Sequence, residues 1–296
     1  MMNASPLPTV SAAQLMADPV APADDLLAPL IARNGSVLVH GAAGIGKTFF
    51  ALGVAWAAAT GGGFLGWRAA RPNRVVYIDG ELGADGMRKR LALFGTPPPG
   101  LQFFLPDRQR GPLLDLTRIE TQHALMESWG DPELVIADCQ SSLAALRGGK
   151  RWDRLHHFLQ RQKNYGRAML VVGGVNADGA PSGSRQRATG FDLVIGLRRP
   201  RDWRPTDGAC FEIAFDKARH LAGERLQPLR ARLVTEPPAG ARWQWNPVIS
   251  RLERAGALLK SGVEVKAMAE VLGVSLATGY RLRERACRLG LLPGSP

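Results

Sequence analysis

Between residues 36 and 197 short apolar runs alternate with longer stretches compatible with helices. Val37-Leu38-Val39-His40 is the first run; a glycine-rich turn and then the Ala-rich stretch 49–59, a good helix former, follow it. Arg74-Val75-Val76-Tyr77-Ile78-Asp79, Leu134-Val135-Ile136-Ala137-Asp138 and Ala168-Met169-Leu170-Val171-Val172 repeat the pattern, each with a plausible helix before it. Continuously apolar strands separated by helices predict a mainly parallel sheet covered on both faces. Two further strands are expected at 193–197 and 211–215, joined by the exposed basic turn Arg198-Arg199-Pro200-Arg201-Asp202-Trp203-Arg204.

The pattern fades at both ends. Residues 1–30 are rich in Pro and Ala, carry one short amphipathic stretch at 11–16, and read as an arm. The α/β domain is expected over 31–235, its core ending near Leu233, because Pro237-Pro238-Ala239-Gly240 punctuates the chain there. Residues 248–296 carry short helical patterns and no strand, and predict a small all-helical, winged-helix or helix-turn-helix-like domain. In it 265–272 forms one helix, Gly273-Val274 the turn, and Ser275 the N-cap of a second helix ending at Arg288. Ala269, Leu272, Val274, Tyr280, Leu282 and Ala286 are assigned inward, leaving Arg281, Arg283 and Arg285 as candidate DNA contacts. A docking or packing module would have the same pattern.

Chemistry enters at the first turn. Gly41-Ala42-Ala43-Gly44-Ile45-Gly46-Lys47-Thr48 matches G-x-x-x-x-G-K-[ST], lies between a strand and a helix, and with Phe49 forms the expected ATP-binding segment. Glycines let main-chain amides and the helix N-terminus face phosphates, Lys47 adds a positive charge, and Thr48 is placed to coordinate Mg²⁺. Asp138, closing its strand, is the expected second Mg²⁺-side ligand. Hydrolysis also needs a group that deprotonates water. The residues after Asp138 are Cys139 and Gln140, so the base must come from elsewhere; Asp79 and Glu81, at the end of the second strand, are rival carboxylates for it, between which the resemblance named next favours Glu81.

With these motifs in place, Gly61-Gly62-Gly63-Phe64-Leu65-Gly66-Trp67 and Val75-Val76-Tyr77-Ile78-Asp79-Gly80-Glu81 resemble the plasmid RepA-type hexameric helicase branch of RecA-like ATPases, over roughly residues 30–233. The resemblance implies a RecA-like core, a catalytic Glu81 on the strand beside the phosphate-loop strand, and a homo-hexameric ring with ATP between subunits. Lys217-Ala218-Arg219 resembles the K-x-R element inserted into the adjacent site, with Arg219 as arginine finger and Lys217 beside it. The family's His pair is replaced here by Gly173-Gly174-Val175-Asn176, with Asn176 a candidate sensor. The loop 178–189 carries Arg185 and Arg187 among Gly and Ser, suited to phosphate contacts with single-stranded DNA in a ring channel.

The formal charge of +12 supports a nucleic-acid partner; residues 1–30 contribute −3, leaving +15 on the rest. The three cysteines, Cys139, Cys210 and Cys287, show no metal or disulfide spacing and read as reduced thiols. No apolar run is long enough for a membrane span and no basic, apolar leader opens the chain, so a cytoplasmic protein is expected. The leading expectation is a DNA-dependent ATPase of the replicative-helicase type. The alternatives are an ATP-switched DNA-binding regulator, a helicase loader or recombination accessory without unwinding activity, and, less favoured, a small-molecule kinase.

Overall fold

The computed structural model describes residues 9–19, 25–109, 115–138, 149–174, 188–235 and 240–292. Its elements, in chain order, begin with α1 (Ala12–Ala17), β1 (Ser36–Gly41), α2 (Lys47–Thr60) and a small hairpin of β2 (Gly63–Phe64) and β3 (Trp67–Arg68). β4 (Val75–Asp79), α3 (Gly83–Leu91), β5 (Leu101–Phe104), α4 (Ile119–Ser128) and β6 (Leu134–Asp138) follow. Then come α5 (Gly149–Asn164), β7 (Ala168–Gly173), β8 (Leu193–Arg198), β9 (Cys210–Ala218), β10 (Leu229–Thr235) and β11 (Ala241–Pro247). Three helices close the described chain: α6 (Arg251–Lys260), α7 (Val265–Val271) and α8 (Leu276–Arg288).

Nine strands form one sheet in the order β11-β10-β9-β8-β1-β7-β6-β4-β5. From β8 to β5 every pairing is parallel; β9, β10 and β11 extend it antiparallel. The period of two sorts the apolar runs onto two faces. Val37, Val39, Tyr77, Ile136 and Leu170 join α2 in one core, whereas Leu38, Ile78, Val135 and Val171 join Leu125 of α4 and Phe158 of α5 in the other. This is the two-sided α/β fold the sequence predicts.

α2 lies close to the sheet because its buried face is mostly small. At Gly53 an added Cβ would stand 2.3 Å from the Phe64 ring, so the missing side chain is what lets the β2–β3 hairpin press an aromatic onto the helix.

Two boundary expectations change. Residues 1–30 are not all arm: Leu26, Leu27 and Leu30 are fully buried, and Ala28 bridges Arg68. Among the described residues of this stretch, those of α1 are all exposed. The strand system likewise continues past 235, since β11 pairs with β10 along Leu229–Thr235 and brings Trp243 against Phe64 and Phe211. The Pro-Pro-Ala-Gly segment separates two strands of one sheet rather than two domains.

Glu133, just before β6, ties the edge of this fold together. Its Oε1 accepts from Arg71 at 2.7 Å and Arg33 at 3.2 Å, and its Oε2 from the Arg74 amide at 3.1 Å. Partial burial alone would raise its pKa, but the Arg71, Arg74 and Arg33 hydrogen bonds outweigh it and lower the value from 4.5 to about 2. A depressed carboxylate stabilises the fold fully above its unfolded pKa and progressively less as pH falls toward the folded one. Glu133→Gln is therefore expected to lower unfolding stability by about 1–3 kcal/mol at pH 7. The gap from wild type in urea titrations should narrow between pH 4.5 and 2.

Candidate nucleotide site

β1 delivers the chain at Gly41 into the loop, and α2 starts at Lys47. Gly46 holds φ at +108° and Gly44 at +70°, a region side chains avoid. Space also demands the glycines: an added Cβ at Gly41 would meet the Leu197 carbonyl oxygen at 2.8 Å, and one at Gly46 the Ala209 Cβ at 3.0 Å. Ile45 is buried and anchors the loop, while Ala42, Ala43 and Gly44 are exposed. The Lys47 ammonium folds back over the loop, donating to the carbonyls of Gly41 and Ala42, both at 3.0 Å. The first-turn amides of α2, from Lys47 through Phe49, have no partner one turn back inside the helix, the setting in which helix N-termini accept anions.

Beneath the loop His40 is buried, its Nε2 2.7 Å from Oδ2 of Asp216 on β9. Asp216 also accepts from Arg198 at 2.6 Å. Partial burial opposes ionisation of Asp216, but the His40 hydrogen bond and the Arg198 charge hold its pKa below the usual range. Gly196 makes room, since a Cβ there would stand 2.7 Å from Asp216 Oδ2. The group bolts β1, β8 and β9 together under the loop.

The acidic side of the site forms at the ends of β4 and β6, where Asp79 and Asp138 are register partners. Asp138 is buried, accepts the Tyr77 hydroxyl at 2.6 Å, and lies within hydrogen-bonding reach of Thr48. Burial raises its pKa; hydrogen bonds from Tyr77 and Thr48 pull it down, and the charges of Asp79 and Glu81 push it up again. A hydroxyl and a carboxylate are hard oxygen donors, and Mg²⁺ characteristically takes one or two carboxylates with substrate phosphates and waters, so Thr48 and Asp138 fit that ion.

Asp79 is occupied otherwise. Its Oδ1 accepts the amide of Glu81 at 3.3 Å, and its Oδ2 those of Leu82 at 3.0 Å and Gly83 at 2.8 Å. It therefore holds the start of α3. Glu81 is exposed at the same edge, close enough to Asp138 for its charge to be felt there. One expectation is corrected: β4 is not the strand beside the phosphate-loop strand, because β7 and β6 lie between β1 and β4. The chain crosses to the far strand first and fills the gap afterwards, so proximity in sequence does not give proximity in the sheet. α2 starts at the end of β1 and packs across that gap, which is how Thr48 meets Asp138.

Sequence reading missed Tyr77, whose buried hydroxyl orients Asp138. The available signal was a tyrosine inside a buried strand, where a hydroxyl needs a partner. Its own pKa is pushed well up, first by burial and then by Asp138.

Lys217 and Arg219 stand elsewhere. β9 runs antiparallel to β8, pairing Lys217 with Val194, while the loop leaves β1 at Gly41 opposite Leu197. They therefore occupy the opposite edge of the sheet from their own chain's loop. Lys217 Nζ donates to the carbonyls of Thr189 and Phe191, both at 2.6 Å, and burial followed by the Arg219 charge lowers its pKa. Arg219 reaches Thr189 O at 3.3 Å and Asp192 at 3.4 Å and stays 59% exposed.

Asn176, Arg185 and Arg187, like Cys139 and Gln140, lie outside the described residues. In the helical domain Gly279 and Ala286 of α8 are buried and Leu282 half-buried, whereas Tyr280 is 55% exposed, against its inward assignment. At 100° per residue 279, 282 and 286 share a face and 280 falls beside it. The same geometry separates the three arginines. Arg281 shares the outer face with Ala277, Glu284 and Arg288; Arg283 borders a cavity with Leu259 and Lys260; Arg285 falls on the other flank.

A family model for the AAA domain matches residues 3–172. No curated protein matches the chain. Among solved structures it is similar to a KaiC-like protein from the hyperthermophilic archaeon Pyrococcus horikoshii OT3, at 16% identity with a TM-score of 0.47, covering 74% of this chain and 93% of that one. Among the described residues no helix is long and apolar enough to cross a membrane.

Proposed function

The chain belongs to the AAA domain family of nucleotide-hydrolysing P-loop proteins, and from that premise we propose that it is an oligomeric, DNA-dependent ATPase of the RepA and replicative-helicase type. The observation that carries this reading is the separation of Lys217 and Arg219 from their own phosphate loop. Cations on the far edge of the sheet have no triphosphate of their own to stabilise. They suit one held by a neighbouring copy, the arrangement of a ring with shared sites.

In this proposal the loop amides and Lys47 hold the phosphates, and Thr48 and Asp138 would hold a Mg²⁺ ion, whose charge would offset that on the phosphoryl oxygens. Glu81 orients water and accepts its proton as the oxygen attacks the γ-phosphorus, while the bond from that phosphorus to the β–γ bridging oxygen breaks and ADP leaves with the electron pair. Arg219 of the next subunit, with Lys217 beside it, then stabilises the transferred group. Hydrolysis would drive movement along DNA or its remodelling in replication, with a homo-hexamer as the expected assembly.

A second reading, an ATP-switched DNA-binding regulator, draws support from α7, the turn at Gly273 and α8. Ser275 caps α8 by accepting from the Thr278 amide, and Arg281 and Tyr280 stand exposed near its N-terminal half, the part such modules present to bases. A helicase loader remains a variant of this class.

The readings part on measurement. A motor should run as an oligomer and hydrolyse ATP several-fold faster with single-stranded DNA than without DNA. A monomer with the same rate under both conditions would rule the motor out; protection of one duplex site without strand separation would favour the regulator. Mixing inactive Arg219→Ala and Glu81→Gln subunits should restore part of the activity, since some interfaces then carry both intact residues. No recovery in mixed oligomers would exclude shared sites.

A further inference from the structure

The β8–β9 turn, expected from sequence to be merely exposed and basic, flanks the phosphate loop. The Leu197 carbonyl abuts Gly41, Ala209 abuts Gly46, and Arg199 Nη2 stands 3.9 Å from where a Cβ on Gly44 would be. Arg199 is exposed and its guanidinium carbon sits 4.0 Å from the centre of the Trp203 ring. The indole is itself held: the Trp203 amide donates to Pro200 O at 3.1 Å and Nε1 to Gly208 O at 3.5 Å. Pro200 is buried, and Asp207 closes the turn by accepting the Arg204 amide at 2.7 Å and pairing with Arg232 at 3.2 Å. Among the described residues Arg199 has no carboxylate partner.

A planar cation without a carboxylate partner among the described residues, its carbon 4.0 Å over the centre of an aromatic ring beside a phosphate loop, is pre-organised for a flat or anionic ligand. The sheet order says which part of a nucleotide it faces. Thr48, Asp138 and Glu81 mark the γ-phosphate end, and they gather on the side of β1 occupied by β7, β6 and β4. A triphosphate whose terminal group points that way directs its ribose and base toward the other side of β1. That side holds β8, β9 and the Arg199–Trp203 pair.

We propose that Arg199, backed by Trp203, is the base-side subsite, with the purine ring of a nucleoside triphosphate stacked on the free face of the guanidinium. The proposal rests on the reading that the triphosphate occupies the loop from Gly41 to Thr48. It assigns Arg199 to base affinity, Trp203 to positioning, and neither to bond cleavage.

The test compares a non-hydrolysable ATP analogue with inorganic tripolyphosphate, which has no base. Arg199→Ala should weaken the analogue about ten-fold, the scale of one lost base stack, and leave tripolyphosphate affinity unchanged. Arg199→Lys keeps the charge but not the plane and should weaken the analogue similarly. The analogue should also shift the tryptophan fluorescence of wild type, and the shift should shrink in Trp203→Phe, whereas tripolyphosphate should produce little of it. Unchanged analogue affinity in Arg199→Ala overturns the proposal. Equal loss of both ligands overturns it too, by making Arg199 a phosphate contact. Lys47→Ala separates the two layers: it should lose both ligands, and if it keeps both, the loop reading fails irrespective of Arg199.

Discussion

Glu81→Gln is expected to slow ATP turnover by about 10²–10⁴-fold, the range for losing a general base, while nucleotide affinity stays near wild type. The expectation follows from how the three carboxylates of the cleft are committed. Asp79 spends its oxygens on the amides that start α3. Asp138 is buried between Tyr77 and Thr48 and is the residue proposed above as a metal ligand. Glu81 alone of the three is exposed to water, so it is the one able to meet an attacking water and accept its proton. Glutamine keeps the size and hydrogen bonding of the side chain but is not a base. Single-turnover hydrolysis alongside equilibrium binding would check both halves, and wild-type turnover in the variant would discard the assignment. Asp79→Asn should instead act on folding, by loosening the start of α3.

Lys47→Ala is expected to weaken ATP binding by about 10²–10³-fold and to remove measurable turnover at ordinary substrate levels. The ammonium folds over the loop on the carbonyls of Gly41 and Ala42 and is placed to swing onto phosphate oxygens. Charge-assisted hydrogen bonds of this kind contribute about 1.5–3 kcal/mol each, so one or two of them account for the loss. The loop backbone should survive, because its shape comes from Gly44, Gly46 and the buried Ile45 rather than from the lysine. Isothermal titration with Mg²⁺-ATP and a thermal melt would read both parts. Tight binding in the variant would mean that the amides alone hold the triphosphate.

The two variants rest on different kinds of knowledge. Lys47 could be assigned from sequence because every group of the phosphate loop lies within eight consecutive residues, and a strand, glycines and a helix start determine their mutual geometry. Glu81 was also named from sequence, but through an assumed strand order that the sheet does not have. What places it is the pairing of Asp79 with Asp138, which aligns the ends of β4 and β6 on the loop side of the sheet. The division of labour between Asp79 and Glu81 was invisible earlier, since two acids two residues apart differ only once the turn has formed.

Errors fell where local pattern was weak or misleading. Leu26, Leu27 and Leu30 sit in a Pro- and Ala-rich setting, yet all three are core residues. β11 alternates tryptophans with polar residues and follows a Pro-Pro segment, which read as the end of the domain. On α8 the inward face was drawn through Tyr280, although buried Gly279 packs against Ala269 and Val265 and lets the helices approach closely. Small residues at helix crossings carry little hydrophobic signal, so apolarity alone put Tyr280 inward in place of Gly279, while Leu282 and Ala286 were placed on the right face.

By itself the sequence determined the alternating α/β layout, the phosphate loop and the strand-ending Asp138, because each depends on neighbours along the chain. Tertiary structure decided strand order, the Tyr77 support of Asp138, the far-edge position of Lys217 and Arg219, and the approach of Arg199 and Trp203 to the loop. Those depend on pairing between segments tens to more than a hundred residues apart. Backbone hydrogen bonds do not record which partner they will take; only the simultaneous burial of both faces of the sheet selects it.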